Sequence, residues 1–261
     1  MLILKNFLIC SLVSSIGFIK MIYFITTGYG FSVAIIGLFL LLSFNDLTLD
    51  ERILGILYII YGLRLGIFII KRNLNSSYKN KMKNRIKTHK DFSLFVLIMI
   101  WISCSLLYAC QTSPLAYKII SEKKEKKYSY IGIIIAIIGL IIEIEADNQK
   151  ARAKKINPNR FVDSGLYKLI RCPNYFGEII FWTGNFISGI KIYIGFIQWF
   201  IALLGYVGII FVMFSGARRI ELQQNESYGE DKNFKEYIQK TPLLIPFIPI
   251  YSLQKYSWLR A

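Results

Sequence analysis

Residues 128–146 read YSYIGIIIAIIGLIIEIEA, an apolar run that ends in carboxylates. At about 1.5 Å per residue, a helix of this length crosses the roughly 30 Å hydrocarbon core of a bilayer. Similar apolar runs occupy about residues 7–24, 28–44, 52–70, 92–112, 177–190 and 192–214. The sequence therefore predicts an all-α, polytopic membrane helix bundle with about seven transmembrane helices.

The distribution of charge supports a membrane protein over a nucleic-acid-binding one. The net charge is +16, but most lysines and arginines lie between the apolar runs. Segments 71–91, 146–176 and 215–261 carry 22 of these residues, whereas the segments expected on the opposite side carry 7. Because positive loops stay in the cytoplasm, we expect a cytoplasmic C-terminus and an N-terminus outside or in a lumen.

Several motifs that would indicate other classes of protein are missing from the sequence. The four cysteines form no CxxC pair and the only histidine is His89, which argues against a metal site. No GxGxxG or Walker A motif is present, so a Rossmann or P-loop domain is not expected. No linker or repeat divides the chain, which we interpret as a single integral membrane domain over residues 1–261.

Polar residues inside apolar runs are costly and are therefore candidates for function. Tyr61 and Arg64 lie three residues apart in the third run, on one helix face. Glu143 and Asp147 share a face at the end of the fifth run. Snorkelling, a structural ion pair or a helix end that reaches water are the alternative explanations for these residues.

A second group of candidates surrounds the start of the sixth run. Pro173 suits the first turn of a helix, so Asn174 and Tyr175 would lie at a helix N-terminus beside Arg171. Such a terminus favours anions. Glu178 follows one turn later, and Arg218 and Tyr228 follow the seventh run. The apolar segment 241–249 contains three prolines and is expected on the membrane surface or packed beneath the bundle.

Three ordered motifs in the second half resemble a known family. They are EIEADNQ at 143–149, GLYKLIRCPNYFGE at 165–178 and YIQKTPLLIP at 237–246. Together they resemble the C-terminal domain of the steroid 5-alpha-reductase family and its bacterial-type relatives, a superfamily that also holds sterol reductases and isoprenylcysteine carboxyl methyltransferases.

The resemblance implies a helical bundle in which residues 1–127 supply the substrate side and residues 128–261 bind NADPH from the cytoplasm. By position, Tyr61 would be the catalytic residue that polarises a carbonyl group. The residues that would line the cofactor cleft are Asp147, Arg171, Asn174, Tyr175, Glu178, Arg218 and Tyr228, and Arg64 is expected near the cofactor or a carboxylate.

The sequence and the resemblance together predict an NADPH-dependent reductase, an oxidoreductase acting on CH–CH groups. Its substrate would be a lipid-soluble molecule with a conjugated carbon–carbon double bond, of steroid, enone or polyprenyl type. Two alternatives stay open: a methyltransferase that uses S-adenosylmethionine, and a scaffold or transporter without chemistry. The expected partners are this substrate and membrane lipids, with no nucleic acid and no obligate protein partner.

Overall fold

The computed structural model describes residues 1–74 and 92–259, which form helices joined by turns, with no strand among them. The α-helices in these ranges are α1 (Leu2–Ser14), α2 (Thr27–Ser43), α3 (Leu49–Leu74), α4 (Leu94–Gln111), α5 (Ser113–Ile120), α6 (Lys127–Ile156), α7 (Pro173–Gly189), α8 (Gly195–Tyr228) and α9 (Lys232–Lys240). Short 3₁₀ helices cover Ser15–Phe18, Met21–Tyr23 and Gly165–Lys168. The predicted all-α class is confirmed.

By length and composition, five helical segments among the described residues are able to cross a membrane. They are Met21–Ser43, Leu49–Leu74, Leu94–Gln111, Lys127–Ile156 and Gly195–Tyr228. Leu2–Phe18 is apolar but shorter. The chain is thus a multi-pass integral membrane protein, whereas the predicted count of seven spans is not confirmed.

The first predicted run, residues 7–24, is not one continuous helix. Helix α1 begins earlier, at Leu2, and ends at Ser14, after which the chain continues in 3₁₀ turns. The Ser15 hydroxyl donates to the carbonyl of Leu12 at 2.7 Å, and the Phe24 ring occupies the space that a side chain at Gly17 would need. Apolar composition alone does not reveal this break.

The chain divides into two compact units. Unit 1 comprises Met1–Ile133 and Asn185–Tyr206. In it, α2 and α3 pack with their backbones in close contact, because a Cβ at Gly37 would lie only 2.7 Å from the Gly55 carbonyl oxygen. Small residues of this kind let membrane helices approach closely without a polar side chain between them.

Several loops lie together at one end of unit 1. Ile3 packs against the cluster that contains Tyr117 and Ile192, and the Lys191 ammonium lies 5.5 Å from the centroid of the Tyr128 ring. These are loops that the charge count assigns to a single side. Which side of the membrane they occupy stays a prediction, and residues 75–91 of the predicted cytoplasmic loop lie outside the described residues.

Unit 2 comprises Ile134–Gly184 and the chain from Val207 onward. Helices α6 and α7 cross here at two glycines, where a Cβ at Gly177 would lie 2.7 Å from both the Glu143 nitrogen and the Gly139 carbonyl oxygen. The crossing brings the backbone at residues 175–178 against the end of the fifth apolar run. Helix α6 continues to Ile156, past the predicted end at residue 146, through residues that favour helix.

Candidate functional site

Tyr61, the predicted catalytic residue, lies in the core of unit 1. Its side chain is fully buried, and its hydroxyl oxygen lies 2.8 Å from that of Tyr29 on α2. The Gln111 side-chain nitrogen donates to the Tyr29 hydroxyl at 3.2 Å. A chain of neutral hydrogen-bonding groups therefore leads from the end of α4 to Tyr61.

A second branch of this network joins Tyr58, one turn before Tyr61 on α3. The Tyr58 hydroxyl donates to the Asn185 side-chain oxygen at 2.5 Å, and the Asn185 side-chain nitrogen donates to the Gln111 carbonyl at 2.8 Å. Gln111 thus connects both branches, which we call the tyrosine network (Tyr29, Tyr58, Tyr61, Gln111 and Asn185). All five side chains are buried.

The amide of Gln111 fixes the direction of one bond in this network. Since the amide nitrogen only donates, the Tyr29 oxygen accepts that bond. In the bond between Tyr29 and Tyr61 either hydroxyl can be the donor. The side-chain oxygen of Gln111 is buried and has no hydrogen-bond partner among the described residues. Arg64, one turn beyond Tyr61, is half-buried.

In unit 2, Arg171 binds other parts of the protein. Its side chain is only 1% exposed, lies 3.5 Å from the Glu221 carboxylate and donates through Nη2 to the Tyr251 carbonyl. Glu221 in turn accepts from the Leu253 nitrogen at 2.9 Å. The pair therefore holds the segment around Tyr251 and Leu253 against α8. Nε and Nη1 of Arg171 have no hydrogen-bond partner among the described residues.

Backbone hydrogen bonds beside Arg171 join the motif at 165–178 to the motif at 237–246. The Arg171 and Cys172 nitrogens donate to the carbonyls of Pro242 and Leu243, each at 2.9 Å. Cys172 is buried, and burial raises the pKa of its thiol to about 11. This cysteine is therefore a protonated packing residue at neutral pH.

The first turn of α7 carries Asn174 and Tyr175, both half-buried. The Tyr175 ring lies against Gly216. Burial raises the pKa of the Tyr175 hydroxyl, and the nearby Arg219 guanidinium opposes that shift by its charge and a hydrogen bond. Arg219 is exposed, so a cation lies beside the first turn of α7, and a helix N-terminus itself favours anions.

The two predicted carboxylates of unit 2 are both buried. Glu178 follows Asn174 by one turn on α7. Asp147 lies on α6 near Tyr167, where burial first and the Asp147 charge second raise the pKa of the Tyr167 hydroxyl. Their roles in a cofactor cleft stay predictions.

Arg218 and Tyr228 also contact the protein itself. Arg218 donates through Nη2 to the Gln254 carbonyl at 3.2 Å. The Tyr228 hydroxyl accepts from Lys154 at 2.8 Å, and its ring packs at 6.0 Å from Phe161 and 5.7 Å from Phe234, measured between centroids. These contacts explain why the residues are ordered, and their part in cofactor binding stays a prediction.

A comparison with known proteins identifies the family of this chain. The family model described as "Protein of unknown function (DUF1295)" matches residues 12–241, most of the chain. The chain belongs to this family. No solved structure gives a significant match to the DUF1295 chain.

Curated relatives of the DUF1295 chain are steroid reductases. It is 30% identical over 121 residues to steroid 5-alpha-reductase DET2 of Arabidopsis thaliana, and 27% identical over 120 residues to DET2 of Gossypium hirsutum. It is 21% identical over 119 residues to 3-oxo-5-alpha-steroid 4-dehydrogenase 1 of Rattus norvegicus. Each match covers 45% of this chain and 40–41% of the relative. The predicted relationship to the steroid 5-alpha-reductases is confirmed.

Sequence reasoning missed Tyr29, Gln111 and Asn185. Asn185 stands inside the sixth apolar run and Gln111 near the end of the fourth, so both satisfied the rule that polar groups at membrane depth are candidates for function. Tyr29 gave no signal of its own, because an isolated tyrosine near a helix end is usually explained by packing.

A buried ionic cluster at the start of α3 was also missed. Lys118 donates to Asp50 and to the Ser129 hydroxyl, both at 2.7 Å, and Ser129 donates to Asp50 at 2.5 Å. The Thr48 hydroxyl donates to the other Asp50 oxygen at 2.7 Å. Lys118 lies between two apolar runs, where a lysine gives no sign of burial, and its side chain is only 3% exposed.

Proposed function

We propose that this DUF1295 protein is a membrane-embedded, NADPH-dependent reductase of a conjugated carbon–carbon double bond in a lipid-soluble substrate. The observation that carries the proposal is the similarity to steroid 5-alpha-reductases, combined with a buried tyrosine hydroxyl held in a hydrogen-bond network. The substrate class follows from the relatives' names and from the multi-pass membrane fold.

The residues of unit 2 fit a phosphate-bearing nucleotide. Arg171 keeps two buried N–H groups without hydrogen-bond partners among the described residues, and Asn174 presents an amide in the first turn of α7. With the exposed Arg219 they form a set of donors and positive charges that suits phosphate oxygens. We assign the phosphates to this set, and Asp147 and Glu178 to the ribose hydroxyls. When bound, NADPH supplies a hydride.

In unit 1, the proposed role of Tyr61 is that of a hydrogen-bond donor. Negative charge develops on the carbonyl oxygen as the conjugated double bond is reduced, and a positioned hydroxyl stabilises that charge. Either hydroxyl of the Tyr29–Tyr61 pair can donate to the other, and in the arrangement in which Tyr29 donates, the Tyr61 proton can be given to the substrate carbonyl. A buried, apolar surrounding strengthens such a hydrogen bond by excluding water.

The proposed orientation places the C-terminus in the cytoplasm, where NADPH is available, while the substrate enters from the bilayer. Reporters fused at the C-terminus and inserted at residues 121–126 test this orientation. The C-terminal reporter should be cytoplasmic and the other reporter should not. If both reporters lie on one side, the orientation is wrong.

The function itself is tested by the nucleotide that the protein binds. The full chain is purified in mild detergent and any nucleotide released by denaturation is identified by mass spectrometry. Binding of added NADPH and S-adenosylmethionine is measured on the same sample. We expect NADP(H) binding and consumption of NADPH with a steroid enone. Binding of S-adenosylmethionine without NADPH would instead support the methyltransferase alternative.

A further inference from the structure

The end of the chain, residues 241–259, forms a segment that we call the C-terminal strap. One side of it is buried in unit 2. Leu243, Leu244, Leu253 and Leu259 belong to a core cluster that also contains Cys172 and Ala217. Hydrogen bonds from Arg171 to Tyr251 and from Arg218 to Gln254 hold the strap against the helices.

The strap also exposes large apolar groups. Phe247 is 96% exposed and Trp258 is 66% exposed. Ile248, Tyr251 and Tyr256 are exposed as well, and Phe247, Ile248 and Tyr251 line one groove. A segment that buries its leucines so completely has no packing reason to leave its aromatic rings outside, so a second apolar environment is needed to explain them.

The backbone at Phe247, the most exposed of these side chains, is strained. Its φ angle is +64°, in the left-handed region that side chains with a Cβ rarely occupy. Pro246 precedes it and Pro249 follows closely, which restricts the backbone on both sides. Strain at a non-glycine residue is usually retained where the side chain has a role.

The surface around Phe247 combines an apolar groove with positive charge. The groove has a volume of about 230 Å³ and is lined by Leu169, Lys240, Phe247 and Tyr251, together with three prolines and Ile248. Lys255 lies 5.0 Å from the centroid of the Tyr256 ring. Residues 240–259 contain these two lysines and no acidic residue, so the surface suits a partner that is apolar and anionic.

The exposed side of the strap continues the outer surface of a spanning helix. The Trp258 ring stacks on Phe211 of α8, with centroids 6.2 Å apart and planes at 21°. Val207, one turn earlier on α8, is exposed and apolar. Tryptophan and tyrosine beside a spanning helix are typical of the boundary between lipid headgroups and acyl chains.

We propose that the outer side of the C-terminal strap binds the membrane surface. Phe247, Ile248 and Trp258 enter the boundary between headgroups and acyl chains, and Lys240 and Lys255 contact anionic headgroups. The strap is then held between lipid on one side and the core of unit 2 on the other. Because Arg171 and Arg218 bond to strap carbonyls, lipid contact also stabilises the position of these two arginines.

The test measures the environment of residue 247 in the full chain. All four native cysteines are buried, so a nitroxide reagent will label an introduced cysteine selectively. Phe247→Cys is compared with Ser227→Cys, an exposed position at the end of α8. Both proteins are reconstituted in vesicles of phosphatidylcholine with phosphatidylserine, and nitroxide collisions are measured with oxygen, which concentrates in lipid, and with a water-soluble nickel chelate.

We expect the label at 247 to collide mainly with oxygen and the label at 227 mainly with the nickel chelate. Equal access of the chelate to both positions would overturn the proposal. Protection of position 247 from both reagents would also overturn it, because the site would then be covered by protein, such as a second copy of the chain.

The lysines are tested with a matched pair of vesicles. Replacing both Lys240 and Lys255 by Gln should reduce the oxygen preference at position 247 in vesicles with phosphatidylserine, and should have no effect in phosphatidylcholine alone. Identical collision rates in the two lipids, before and after the substitutions, would overturn the assignment of anionic headgroups. None of these measurements depends on reductase activity.

Discussion

The tyrosine network of unit 1 and the Arg171–Glu221 pair of unit 2 are both buried polar systems, but they are built from different groups. The first uses neutral hydroxyls and amides joined at 2.5–3.2 Å. The second uses opposite charges 3.5 Å apart, with backbone groups as further partners. A neutral network tolerates the loss of one member, whereas a buried charge requires its counter-charge. Substitutions in the tyrosine network should therefore affect chemistry, and substitutions in the Arg171–Glu221 pair should affect folding.

The largest expected effect is on the stability of unit 2. Arg171→Met leaves the Glu221 carboxylate buried without its cation, which should lower the free energy of unfolding by about 3–5 kcal/mol. Thermal unfolding in detergent measures the loss. The double variant Arg171→Met with Glu221→Leu removes both charges and should regain part of it. A single variant as stable as the wild type would show that the pair is not a stabilising contact.

Tyr61→Phe should have the next largest effect, and on turnover alone. The substitution keeps the ring and removes the proposed donor, so kcat should fall roughly 100-fold, the scale for loss of one oxyanion donor. Affinity for NADPH should not change. Tyr108→Phe is the matched control, since its hydroxyl donates to the Phe24 carbonyl outside the tyrosine network. Full activity of Tyr61→Phe would remove Tyr61 from the catalytic assignment.

Asn174→Ala and Glu178→Ala should weaken nucleotide binding without unfolding the protein. Each removes a hydrogen bond from a partly desolvated site, worth roughly 1–3 kcal/mol, or about 5- to 150-fold in affinity. Titration with NADPH measures the change. Glu236→Ala, on the exposed face of α9, is the control. If both variants bind as tightly as the wild type, the nucleotide lies elsewhere.

The smallest expected effect concerns the support that Gln111 gives to the tyrosine network. Gln111→Met keeps the shape of the side chain but removes the donor to Tyr29, so the Tyr29–Tyr61 pair loses one of the bonds that position it. Turnover should fall by about 2- to 10-fold, the scale of one neutral hydrogen bond. In the Tyr61→Phe background the same substitution should have no further effect on turnover. Additive losses would indicate two independent roles.

The sequence predicted the long helices because each one contains a continuous apolar run. Helix α4 begins and ends within two residues of the predicted bounds of 92–112. The sequence did not predict the break after Ser14, which depends on the Phe24 ring packing over Gly17. It also did not predict the extent of α6, because the residues after Asp147 are polar and give no membrane signal.

The three motifs of unit 2 could be recognised from the sequence, but the contacts between them could not. Gln149 illustrates this: its side-chain oxygen accepts from the Leu166 nitrogen at 2.8 Å, beside Gly165 with a φ of +61°. The motif at 143–149 thus supports the turn that begins the motif at 165–178. The third motif, at 237–246, also contacts the second, because the Tyr237 hydroxyl donates to the Tyr167 carbonyl at 2.6 Å. Such contacts require the fold, since the partners are far apart in sequence.

The cluster of Asp50, Lys118 and Ser129 constrains how the protein is made. The carboxylate at the start of α3 is synthesised 68 residues before its lysine and 79 before its serine. A buried aspartate without these partners would be unstable, so burial of Asp50 becomes favourable only after the first turn of α6 has been synthesised. The first turn of α3 therefore depends on residues that the ribosome adds much later.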